Sequence, residues 1–184
     1  MNSEEISESA ELALALGFVP IILRKGTKIP VRPGWQNTTY EQAEDFFSKP
    51  RFGFNIGVVT GEVSNLTVID IERADLEKWN EFMLEHNNGR PIKTLIMLTG
   101  GGGEHYYFKY FKSRNGVKIP LDTGGTIDIR SDKGQVVFYG SVTQQKYVFR
   151  DYEPDESGDF GEIAIADAPK WLKKFVQEKQ RINL

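Results

Sequence analysis

The segment Leu66-Thr67-Val68-Ile69-Asp70-Ile71-Glu72 constrains this chain more than any other, because a β-branched run ends there in two carboxylates one residue apart. Such residues suit a pleated strand. Strand side chains alternate faces, so Asp70 and Glu72 share one side while Ile69 and Ile71 meet a core on the other. Carboxylates held that close repel each other unless protons or cations intervene, and a hard divalent ion with oxygen ligands is the usual resolution. Thr126-Ile127-Asp128-Ile129-Arg130 repeats the pattern: Ile127 and Ile129 face the core, and Thr126, Asp128 and Arg130 face away. If the two strands neighbour each other in one sheet, Asp70, Glu72 and Asp128 converge on its open face. There they can hold two Mg²⁺ or Mn²⁺ ions, a pair able to stabilise the attacking and the leaving oxygen of a phosphoryl transfer. Taken singly, each carboxylate also fits a solvated or salt-bridged strand residue.

The rest of the chain reads as α+β, a mainly antiparallel sheet with helices. Asn2 and Glu5 form a possible capping box before Ile6, Ala10, Ala13 and Leu14 at helical spacing, stopped by Gly17. Phe18 to Leu23 reads as a strand, followed by a basic loop from Arg24 to Trp35 punctuated by Pro and Gly. Thr38 or Thr39 caps a short helix through Phe46 and Phe47 that Pro50 breaks. Asn55 to Thr60 is a second strand. Leu76, Trp79, Phe82 and Met83 mark a helix ending near Asn87-Asn88-Gly89. Thr94 to Leu98 and His105 to Phe111 flank the glycines 100 to 103, which suggests a hairpin with an open, flexible loop. Strands at 126–130 and 135–139 follow around a turn at 131–134, then a short strand at 146–149, an acidic loop, and a final helix with Pro169 in its first turn and Leu172, Phe175 and Val176 on its apolar face. Tyr106 and Tyr107 alternate faces, so at most one is expected in the core.

These elements imply a single domain over 1–184, with an N-terminal α/β lobe at 1–65, a catalytic sheet at 66–150 and a C-terminal helix at 165–184. A net charge of -3 argues against a charge-driven nucleic-acid coat protein, yet not against a protein whose clustered carboxylates are offset by metal in use. With no cysteine there is no disulfide framework and no thiolate zinc site, so no zinc is expected. No stretch is long and apolar enough to span a membrane, and the acidic N-terminus is not a signal peptide. The expectation is a cytoplasmic protein.

His105 follows Thr99-Gly100-Gly101-Gly102-Gly103-Glu104, where glycines permit close backbone approach to a phosphate. Lys28, Arg130 and Lys133 are further candidate phosphate partners. The alternative is a glycine-rich hairpin tip beside a surface histidine. No Gly-Lys-Ser/Thr closes the run as in a P-loop, and it is no dinucleotide fingerprint. His86 falls at a helix end and is read as a dipole partner. Lys28 and Trp35 also fit a loop cation and a packing aromatic, and Arg24, Lys25, Lys112, Arg114 and Lys118 are candidate DNA contacts.

In order, Asn55-Ile56-Gly57-Val58-Val59-Thr60-Gly61 leading into 66–72, then 99–108, then Ile127-Asp128-Ile129-Arg130 and Gly134-Gln135-Val136-Val137, resemble the bifunctional DNA primase/polymerase family of the archaeo-eukaryotic primase superfamily. The family's motifs are a hydrophobic strand ending in Asp-x-Asp/Glu, a small-x-His element and a hydrophobic-Asp strand. Here they match Asp70 and Glu72, then Gly103-Glu104-His105, then Asp128. Gly17-Phe18, Lys28-x-Pro30 and Trp35 look like the family's opening, so the resemblance spans 17–141.

The resemblance implies an RRM-like catalytic core and a template-directed nucleotidyl transfer, in which a primer 3′-hydroxyl attacks the α-phosphate of a nucleoside triphosphate and pyrophosphate leaves. Asp70, Glu72 and Asp128 would bind two Mg²⁺ or Mn²⁺ ions, His105 would contact the triphosphate, and Arg130 and Ser141 lie where relatives place phosphate-binding groups, with Lys28 beside them. DNA template and primer, nucleoside triphosphates, and a helicase or helical-bundle primase domain are the implied partners. Where many relatives read Pro-Pro-Ser this chain has Tyr139-Gly140-Ser141, and it lacks the cysteine-bound zinc stem of some relatives. Larger members continue into a helical bundle and helicase, so primer extension is expected here more than unassisted initiation. Two other readings remain open: a metal-dependent nuclease, and a catalytically silent nucleotide- or primer-template-binding accessory module.

Overall fold

The computed structural model describes residues 3–49, 53–153 and 161–182, so the capping role of Asn2 and the helix break at Pro50 lie outside the described residues. The elements run α1 (Ser3–Ala15), β1 (Val19–Arg24), α2 (Tyr40–Phe47), β2 (Phe54–Val59), β3 (Leu66–Ile71), α3 (Leu76–His86), β4 (Ile96–Leu98), β5 (Glu104–Lys109), β6 (Gly116–Pro120), β7 (Thr126–Arg130), β8 (Gln135–Val137), β9 (Val148–Phe149), β10 (Ala166–Asp167) and α4 (Lys170–Ile182). The fold is α+β and mostly antiparallel. Local chemistry accounts for several boundaries: Thr39 caps α2 in a reciprocal box with Gln42, and Gly17 takes a left-handed φ of 76° just past α1.

The strands form two sheets. The larger runs β6-β7-β3-β5-β4-β9, with β10 pairing parallel to β5, and the smaller runs β1-β2-β8. β6, interrupted by a bulge between Gly116 and Ile119, and the two-residue β10 carry too short a pattern to mark them in sequence. Residues 126–130 and 135–137 do not form the expected hairpin, because β8 pairs with β2 instead. Thr60 holds the crossover, its hydroxyl donating to Ser131 O at 2.6 Å and its N–H to Gly134 O at 2.9 Å. The 66–150 segment therefore contributes one strand to the small sheet of the N-terminal lobe.

The large sheet is covered on both faces. Ile69, Ile71, Tyr106, Ile127 and Ile129 pack with Trp79 and Phe82 of α3 and Leu172 and Val176 of α4. On the opposite face Leu66, Val68, Met97 and Tyr107 pack with the small sheet, through Val58, Val136 and Val137. Both tyrosines of the Tyr106-Tyr107 pair are consequently buried. A sheet clothed on both sides removes the choice that alternation alone implies. Among the described residues no helix is long and apolar enough to cross a membrane.

The glycine run is an ordered turn rather than an open loop. Thr99 N–H donates to Gly103 O, Gly102 N–H to Thr99 O, and Gly103 N–H to the Thr99 hydroxyl at 3.0 Å. A Cβ on Gly103 would collide with the Ile71 carbonyl oxygen. Gly103→Ala should therefore lower stability by about 1–3 kcal/mol in chemical denaturation, and an unchanged midpoint would mean that the Ile71–Glu72 backbone yields freely.

Candidate active site

Register brings the first and third motifs together. Asp70 on β3 is the direct partner of Asp128 on β7 and of His105 on β5, so one row across three strands reads Asp128, Asp70, His105. All three lie on the face that carries Val68, two residues before Asp70, and Tyr107, two residues after His105, into the core between the sheets. The row therefore sits where that core opens to solvent. Asp70 and Asp128 keep 21% and 20% of their side chains exposed, while His105 is buried at 3%. The carboxylate face is thus half-roofed rather than open, and His105 is not the surface residue of the alternative reading.

Charge at the row is balanced by protein cations. One Arg130 Nη2 donates to Asp128 Oδ2 at 2.7 Å and lies 3.7 Å from Asp70 Oδ2. The other Asp128 oxygen accepts the Lys118 backbone N–H at 2.7 Å. That N–H is aimed by a bulge between Gly116 and Ile119, with Lys118 at a φ of 52°. His105 Nε2 stands 3.4 Å from Asp70 Oδ1. Burial by itself would raise the Asp70 carboxyl, but His105, Arg130 and Lys28 outweigh it and hold its pKa below the ordinary carboxylate value.

Two cavities meet at this row. One, of about 350 Å³, is lined by Lys28, Trp35, His105, Asn115, Lys133, Gln135 and Tyr147 with Asp70 and Arg130. The other, of about 600 Å³, holds Glu72, Arg73, Thr99, Gly101 and Gly103 with Lys28, Asp70, Asp128 and Arg130. Asp70, Arg130 and Lys28 line both. In the first cavity His105 Nδ1, Tyr147 Oη and Gln135 Oε1 are buried with no hydrogen-bond partner among the described residues. Lys28, Arg130 and Lys133 line this cavity with positive charge against the single carboxylate of Asp70 in its lining, a balance suited to an anionic guest.

A fit for a hard divalent cation follows from the Arg130 geometry. A single positive nitrogen already touches Asp128 and approaches Asp70, so both carboxylates face one cation-sized position, and their oxygens suit Mg²⁺ or Mn²⁺. Glu72 does not join them directly. It is exposed just past β3, on the wall of the same cavity, and among the described residues no group of three His, Cys, Asp or Glu side chains stands close enough to hold a metal. Glu72 keeps an extended backbone, φ -71° and ψ 153°, and the 3-10 turn begins after it at Arg73.

Of the phosphate candidates, Lys28, His105, Arg130 and Lys133 line the site, whereas Ser141 does not. Its buried hydroxyl accepts Ile56 N–H at 2.8 Å and donates to Ile56 O at 3.0 Å, tying the segment after β8 to β2. Sequence reasoning missed Arg73, Asn115, Gln135 and Tyr147. Arg73 adjoins Glu72 and offered a local signal; Tyr147 is delivered only by tertiary packing, with Gly100 set against its ring.

A family model described as bifunctional DNA primase/polymerase, N-terminal, matches residues 10–171. No curated protein matches the chain.

Ser141→Ala should cost about 1–3 kcal/mol of stability with triphosphate affinity unchanged; loss of nucleotide binding in a folded variant would return Ser141 to the site. Because the Asp70 pKa is depressed, its pairing stabilises the fold above the ordinary carboxylate range and is lost as acid protonates it. Asp70→Asn should therefore melt below the parent at neutral pH, with the gap closing below about pH 4. A gap independent of pH would contradict that balance.

Proposed function

Because the chain belongs to the bifunctional DNA primase/polymerase family, we propose that it extends a DNA primer by template-directed nucleotidyl transfer from nucleoside triphosphates, releasing pyrophosphate. The observation that carries this reading is the in-register row Asp128, Asp70, His105 set between a cation-lined cavity and a carboxylate-lined one. Asp70 and Asp128, with Glu72 brought in by rotation at the strand end, would hold Mg²⁺ or Mn²⁺. Such ions neutralise charge developing on the oxygens of the transferred phosphoryl group.

The chain's own groups supply positioning and electrostatics, which dominate phosphoryl transfer. Lys28, His105, Arg130 and Lys133 converge on the first cavity and orient the triphosphate there. The Asp70 carboxylate keeps His105 aimed across the row. Arg130 offsets the paired carboxylates and, by rotation, reaches an incoming phosphate while giving up Asp128. The wall formed by Glu72, Arg73 and the glycine turn leaves an open approach for the primer terminus. No protein nucleophile is required.

The test is incorporation of labelled nucleotide on a primed DNA template with Mn²⁺ or Mg²⁺. Asp70→Ala and Asp128→Ala should lose at least ~10²-fold of the rate while remaining folded by circular dichroism, and His105→Ala should mainly weaken triphosphate affinity. Retained extension in a folded Asp70→Ala variant would overturn the assignment. The accessory-module reading is favoured by one feature, the engagement of both Asp128 oxygens by Lys118 N–H and Arg130; it would be supported by triphosphate binding without pyrophosphate release.

A further inference from the structure

A third cavity, of about 480 Å³, lies between β1, α2 and the loop joining them. Its walls include Ile21 and Ile22 of β1, Phe46 and Phe47 of α2, and Arg32 and Trp35 of the loop. The Arg32 guanidinium sits 4.3 Å over the Phe46 ring. Trp35, half-buried, lines this groove and also the cavity that holds His105 and Lys28, so one indole borders both.

The charge around the groove is divided, with Glu41, Glu44 and Asp45 on α2 and only cations along the loop. Residues 17–40 contain no Asp or Glu, in a chain of net charge -3, yet carry Arg24, Lys25, Lys28 and Arg32. All four cations are exposed, and between them Ile29 and Val31 expose apolar side chains at 52% and 37%. Asp45 of α2 is the acidic group on the groove's far wall; it repels phosphate from that side and can accept a hydrogen bond from a base amine. Aromatic and guanidinium faces beside a cationic track are the chemistry that binds single strands, since every base has a face to stack and each linkage a charge to neutralise. A duplex has no unstacked base to offer.

We propose that the Trp35, Arg32 and Phe46 groove holds an unpaired base of a single-stranded DNA template, with the strand's phosphates along Arg24, Lys25 and Arg32. The naming of that strand as template rests on the function proposed above; the groove's affinity for a single strand does not. Sharing Trp35 places this base next to the cavity for the triphosphate, which is where a templating strand must arrive.

The experiment is fluorescence anisotropy with a labelled single-stranded oligothymidine, in the absence of metal and triphosphate, so that binding is read independently of catalysis. Trp35→Ala should weaken binding about tenfold, the scale of losing one stacked base. Trp35→Phe should retain most of the affinity. Arg32→Ala, at an exposed position, should also weaken it severalfold while leaving the affinity for a fluorescent nucleoside triphosphate unchanged. Unchanged oligonucleotide binding in Trp35→Ala and Arg32→Ala would overturn the proposal. So would an equal loss of triphosphate affinity in Arg32→Ala, which would make the groove the pocket of the incoming base, and so would an equal loss of duplex binding, which would reduce it to charge alone. If the parent binds and discriminates strands in this way yet incorporates nothing, the groove stands and the enzymatic reading falls.

Discussion

The ion pairs around Arg130 are the constraint on which the site depends. β3 and β7 set two carboxylates side by side across an antiparallel pair, a placement that like charges disfavour by themselves. Arg130 stands on β7 two residues beyond Asp128 and reaches both, while His105 and Lys28 complete the balance around Asp70. Such a cluster tolerates exchange of one cation for another more readily than loss of cation altogether, since an unpaired carboxylate at a partly desolvated position is what costs most. Under the proposed function, in which metal would be taken up and released with product, a tethered cation able to return serves the site well.

Burial on both sheet faces fixes where the row stands. Val68 and Tyr107 are locked between the sheets one strand step from Asp70 and His105, so the row inherits its geometry from core packing rather than from a loop. The small sheet contributes twice. It closes the core behind the row, and through Gln135 and the loop bearing Lys28 and Trp35 it supplies the far wall of the cation-lined cavity. The groove beside Trp35 extends that wall outward.

Much of this was legible in the residues. Alternation in 66–71 and 126–130 marked the strands and the faces of their carboxylates, and the glycine run marked the hairpin. The neighbouring of the two strands was a condition that sequence could state and only the register could meet. What escaped was non-local. The pairing of β8 with β2 depends on hydrogen bonds between Thr60 and the 131–134 turn, and the roles of Tyr147 and Gln135 arise from packing across strands far apart in sequence. Ser141 fitted a motif position yet spends its hydroxyl on the Ile56 backbone, a choice invisible in spacing.

The most direct measurement is anomalous diffraction from crystals of the protein grown with Mn²⁺ and a non-hydrolysable nucleoside triphosphate. The expected map has manganese between Asp70 and Asp128, the triphosphate against His105 and Lys28, and the Arg130 guanidinium turned from Asp128 toward phosphate. Triphosphate bound elsewhere, or an Arg130 still bridging both carboxylates with no manganese beside them, would contradict the assignment of this row as a catalytic centre.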